Sequence, residues 1–122
     1  MTPRTLARLQ ATGRVVLGAG IAAAPSLVAG GWVGAVADRP GGRALAIGLG
    51  GRDVAIALGT LSALRGGHAV RPWLLAGMLA DAADFAATVR ERDALSPVAV
   101  PAVAAIAGGS VLLGAWLQRE LG

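Results

Sequence analysis

Cysteine and lysine are absent from this 122-residue chain, histidine occurs once, and the aromatic residues are three tryptophans and one phenylalanine. Without cysteine there is no disulfide and no thiol nucleophile, and a lone histidine leaves no zinc-ligand set. Charge is scarce too: 15% of residues are charged, against roughly 25% in average soluble domains. The net charge of +4 is carried wholly by arginine. A nucleic-acid surface would need those arginines on one continuous face with aromatics to stack on bases, and here they are scattered towards helix ends. No Ser–His–Asp or His–Glu pattern suggests a hydrolase, and no Gly-Gly pair has the strand–loop–helix setting of a phosphate-binding loop. No cofactor or metal site is expected.

What the chain does have is apolar length. Hydrophobic residues make up 55% of it and the mean hydropathy is +0.65, gathered into stretches near the ~20 residues that cross a bilayer. The expected fold is all-α, a single-domain integral membrane four-helix bundle with spans at about 13–36, 43–64, 73–89 and 97–117. Thr2-Pro3 reads as a helix start, and the early arginines followed by a long apolar run read as a retained first helix, not a cleaved signal. Pro25 leaves two options for the first span: one kinked helix, or a helix ending near Ala24 followed by a short interfacial piece. Asp38-Arg39-Pro40-Gly41-Gly42 and Arg65–Pro72 are turns, the second short enough to make spans two and three antiparallel neighbours. Arg4, Arg8, Arg14, Arg65, Arg71 and Arg119 fall on one side and Arg39, Arg43, Arg90 and Arg92 on the other, which favours cytoplasmic N- and C-termini. Trp32, Trp73 and Trp116 near span ends read as interfacial anchors. Gly30/Gly34 and Gly51/Ala55/Gly59 are small-residue faces suited to close packing within the chain or in a homo-oligomer.

The candidate site is a charged cluster inside the second and third spans: Arg52, Asp53, Asp81 and Asp84. An ionised side chain at a helix centre costs about 2.5–3.5 kcal/mol on the insertion scale, so these residues need partners. With the loop centred near His68, an antiparallel hairpin sets Asp53 level with Asp84, and Asp81 about 4.5 Å nearer the loop. The expected pair is Arg52–Asp84 or Arg52–Asp81, with Asp81, Asp84 and Thr88 on one face beside Gly77. Arg14 joins the cluster if the first helix carries it towards mid-membrane. Any acid left without a cation is a candidate for acid/base chemistry or proton carriage, whereas a fully paired cluster orders the bundle.

Gly13-Arg14 at the start of the first span, the proline near its end, Gly51-Arg52-Asp53 and an aspartate in the third span resemble an uncharacterised family of small bacterial four-helix membrane proteins, classed as a domain of unknown function. The resemblance covers roughly residues 13–89. It implies a membrane location and points to Arg14, Arg52, Asp53 and Asp84 for charge pairing or ligand binding; Asp81 lies outside the pattern. Small multidrug exporters are similar in size and span number, but their essential acid is a glutamate in the first span, where this chain has no acid. The leading expectation is a small membrane protein whose Arg/Asp cluster orders the bundle and binds a ligand or partner. The alternatives are an aspartate-based isomerase or cyclase acting on a lipophilic substrate, with Asp53, Asp81 and Asp84 as catalytic candidates, and a proton-linked transporter.

Overall fold

The computed structural model describes residues 1–122 as five α-helices: α1 (Pro3–Ala23), α2 (Pro25–Val33), α3 (Pro40–Gly66), α4 (Arg71–Arg90) and α5 (Ala99–Leu121). Single 3₁₀ turns follow α2 and α4, and there is no strand. The N-terminal signal acts as expected: the Thr2 side chain accepts a hydrogen bond from the Thr5 amide at 3.1 Å, with Pro3 at the first helical position. Helix α3 also opens on a proline and stops at Gly67, whose φ of 67° is the left-handed conformation that ends helices.

The first expected span, 13–36, is not one helix. Ala24 lies off helical geometry at φ −136° and ψ 65°, and the α2 segment leaves α1 at a bend of 106°. The cause is local: a proline ring crowds the preceding residue out of the α region and offers no N–H to continue the ladder. Helices α3 and α5 are each long and apolar enough to cross a membrane, and the bent α1–α2 unit counts as a third if it forms one broken span. Of the four spans expected from the sequence, two or three are long and apolar enough by that measure. Helix α4 falls short because Asp81 and Asp84 interrupt its apolar run.

Large apolar side chains point outward and small ones inward. Leu27, Leu45, Leu79, Val98, Ile106 and Leu112 are exposed, while the buried positions are mostly alanine and glycine. Water would reverse that order, whereas lipid does not drive large side chains inward and favours small residues where backbones meet. Helix α1 packs mainly on α3, and α4 mainly on α5; the two pairs touch each other far less. At one end, Ala7, Ala63, Leu64, Val70, Leu74 and Leu117 form an apolar cluster. There Arg4 donates to the Leu64 carbonyl at 2.5 Å, satisfying one of the carbonyls that a helix end leaves unpaired. At the other end Ile21, Ala29, Ala37 and Ala46 form a second cluster. A polar layer separates them.

Within the chain, the close face of α3 is not the Gly51/Ala55/Gly59 row. Gly51 and Ala55 are exposed, and a Cβ on Gly51 would meet nothing within 4 Å. Contact runs instead through Gly18 and Gly50: a Cβ on Gly18 would lie 2.7 Å from the Gly50 carbonyl oxygen and 2.9 Å from the Asp53 Cβ. Backbone therefore touches backbone between α1 and α3. Gly59 makes room for the Trp73 ring.

Candidate functional site

The α1–α3 approach sets the register of the polar layer. Four residues before Gly18, Arg14 points from α1 towards α3 and α4; three residues after Gly50, Asp53 faces it from α3. Arg14 Nη1 donates to Asp53 Oδ1 at 3.2 Å, and Arg14 Nη2 donates to Asp81 Oδ2 on α4. Gly77, one turn before Asp81, clears the path: a Cβ there would lie 3.3 Å from Arg14 Nη2. The Arg14 side chain is only 10% exposed.

Arg52 approaches the same carboxylate from the other side. Its Nε and Nη2 donate to Asp53 Oδ1 at 3.2 and 3.1 Å, and its Nη1 and Nη2 reach Asp84 Oδ1 and Oδ2 at 3.2 and 2.8 Å. The Asp84 pair is the two-pronged arrangement that a planar guanidinium makes best. Arg14, Arg52, Asp53, Asp81 and Asp84 thus meet in one network joining α1, α3 and α4. Of the two pairs expected for Arg52, the structure forms the one with Asp84. Asp81 is held by Arg14, so each aspartate has at least one arginine partner.

One side of this network opens on a cavity of about 500 Å³. Helices α1 and α5 form its long walls, with Leu17 and Ile21 facing Val103, Ile106 and Ala107. Helix α2, folded back by the bend after Ala23, contributes Val28, Ala29 and Trp32. Arg14, Asp53, Asp81 and Asp84 make the polar wall, with Gln10 and Ser110 beside them; Arg52 does not reach the lining. Gln10 Nε2 donates to the Ser110 Oγ at 2.9 Å and to its carbonyl at 3.2 Å, tying α1 to α5. The size lies within the range of small-molecule sites, as does the character, mostly apolar with a few convergent polar groups.

Trp32, expected as an interfacial anchor, also makes a contact within the chain. Its Nε1 donates to Thr88 Oγ1 at 3.0 Å, and Thr88 in turn donates to the Asp84 carbonyl at 2.7 Å. The indole is thereby locked over the end of α4 as part of the cavity wall. Gln10, Ser110 and Trp32 carry no signal in the sequence, because each joins the site through the bend of α1–α2 or the packing of α5. No three histidines, cysteines or acids are grouped so as to hold a metal ion. Compared with protein-family models, with curated proteins and with solved structures, the chain matches none.

Proposed function

We propose that this chain is an integral membrane protein, with α1, α3, α4 and α5 crossing as a four-helix bundle and both termini cytoplasmic, that holds a lipophilic ligand beside its Arg/Asp network. One observation carries the reading. Four of the five residues that pair across α1, α3 and α4 also line an apolar cavity of about 500 Å³. A network needed only to fix helix register is served equally well by a dry, closed contact, and burying ions is costly enough that a second use for them is a reasonable expectation. The exposed Leu27, Leu45, Leu79 and Leu112, none of them on the cavity wall, support the membrane location.

The test is to purify the full chain from membranes in mild detergent and identify bound small molecules by native mass spectrometry. Ala107, buried and on the cavity wall, is the position to fill. The parent should carry an amphiphile that Ala107→Trp loses while keeping its fold. A parent that binds no amphiphile, or an Ala107→Trp variant that binds as the parent does, overturns the reading.

A second reading, aspartate acid/base chemistry on a lipophilic substrate, has one observation in its favour. Asp53 is engaged through Oδ1 and Asp81 through Oδ2, which leaves their other oxygens without a hydrogen bond on residues that line the cavity. It calls for turnover of a cavity ligand that stops in Asp81→Asn without loss of binding.

A further inference from the structure

Building on the cavity as a ligand site, the balance of charge and hydrogen-bonding groups on its wall identifies the kind of head group it takes. Three carboxylates face the cavity, those of Asp53, Asp81 and Asp84, against one guanidinium, that of Arg14. Arg52 neutralises part of this charge from behind, outside the lining. Even with both arginines counted, the network sets three carboxyl groups against two guanidinium groups, a formal charge of one negative.

Hydrogen bonding adds two ionic acceptors to that charge. The donors on the wall are turned onto protein acceptors: the terminal nitrogens of Arg14 onto Asp53 and Asp81, the Gln10 amide onto Ser110, and the Trp32 indole N–H onto Thr88. The Ser110 hydroxyl, which accepts from Gln10, and the second N–H of each Arg14 terminal nitrogen are the donors left over. Asp53 Oδ2 and Asp81 Oδ1 accept no hydrogen bond, although the two residues are only 4% and 7% exposed. With its N–H engaged, Trp32 has its ring to present, a surface that attracts cations. A carboxylate or phosphate head would meet excess negative charge and find few donors. A protonated amine brings both the positive charge and the N–H groups that Asp53 Oδ2 and Asp81 Oδ1 lack.

We infer that the cavity selects an amphiphile with a primary or secondary ammonium head, whose N–H groups bond Asp53 Oδ2 and Asp81 Oδ1 while its tail lies between α1 and α5 against Leu17, Val103 and Ile106. The head group is the specific part, and the tail is held by area alone.

The experiment uses the full chain carrying Trp73→Phe and Trp116→Phe, so that Trp32 is the only fluorophore, in maltoside detergent at neutral pH. Dodecylammonium, dodecyltrimethylammonium, dodecanol and dodecanoate are titrated separately, with Ala107→Trp and Asp81→Asn run alongside and read by the shift in unfolding temperature. Dodecylammonium should bind about tenfold or more tightly than dodecanol, a difference of at least one decade in Kd. Dodecyltrimethylammonium, with charge but no N–H, should fall between them, and dodecanoate should be weakest. Asp81→Asn should shrink the ammonium preference, and Ala107→Trp should remove binding of every probe. If dodecanol or dodecanoate matches dodecylammonium in the parent, the cation assignment fails while the cavity reading stands. If no probe gives saturable binding that Ala107→Trp abolishes, both fail together. The comparison among probes is made on the parent fold, so it holds even where Asp81→Asn does not fold.

Discussion

Asp53 Oδ1 accepts from Arg14 and from Arg52, so a single carboxylate oxygen ties α1 to α3 and, through the arginines, both to α4. Removing one partner of a buried pair strands the other, at a cost of about 3–5 kcal/mol. Arg14→Gln strands Asp81 altogether and should lose stability of that order, whereas Arg52→Gln should lose less because the Arg52 side chain is 32% exposed. Thermal unfolding in detergent gives the order, and an Arg52→Gln variant less stable than Arg14→Gln would contradict it. The double variant should lose more than the sum of the singles, since Asp53 keeps one arginine in either single and none in the double. Part of this was legible in the chain. The short loop between α3 and α4 fixes their relative height, which is why Arg52–Asp84 follows from counting residues from His68. The place of Arg14 did not follow, because its height and direction depend on how α1 docks on α3. That docking is a property of two surfaces, and no spacing within either segment encodes it.

Helix α3 shows why a small-residue repeat misleads. Gly48, Gly50 and Gly51 lie within one turn, so the segment offers glycine on several faces and a four-residue repeat cannot choose among them. The packed face is the one whose neighbours also fit: Ala46, Gly50, Asp53, Ala57 and Thr60 are all buried. Gly18→Ala places a methyl group 2.7 Å from the Gly50 carbonyl oxygen and should cost about 1–3 kcal/mol as overpacking. Gly51→Ala meets nothing within 4 Å and should stabilise the helix by up to about 1 kcal/mol through propensity. Parallel melts of the two variants check the pair; equal effects would mean that the α1–α3 contact is placed wrongly. The break after α1 was legible as an alternative, since a proline both lacks an N–H and restricts the residue before it. Its 106° angle was not, and with it went the role of Trp32. Trp32→Phe removes the bond to Thr88 and should cost about 1 kcal/mol.

Because α1, α3, α4 and α5 alternate in direction, the first and last residues lie at the end that holds Leu64 and Leu117, and Asp38 and Asp93 lie at the other. The sequence count of six arginines against four included Arg14, which the structure draws into the polar layer. Arg4, Arg8, Arg65, Arg71 and Arg119 then stand against Arg39, Arg43, Arg90 and Arg92, so charge alone orients the chain weakly. The absence of cysteine makes orientation directly measurable. In sealed vesicles, Thr2→Cys and Glu120→Cys should react with an impermeant maleimide from one side, and Asp38→Cys and Asp93→Cys from the other. Thr2→Cys and Asp93→Cys reacting from the same side would rule out the alternating path. The uneven packing of the helix pairs has a mechanical consequence. Between α1 and α3 the Gly18–Gly50 contact is backbone on backbone, with no soft side chain to compress, so that pair behaves as a stiff bar. Helices α4 and α5 make a second bar, joined to the first by the arginines near mid-height, by Gln10 on Ser110, and by the apolar cluster around Leu64 and Leu117 at one end. Two bars joined at mid-height and at one end resist sliding and yield by opening at the other end. The soft coordinate of the molecule is therefore the width of the seam between α1 and α5, with Leu17 and Ile106 at its edge and the mid-height joint as the fulcrum.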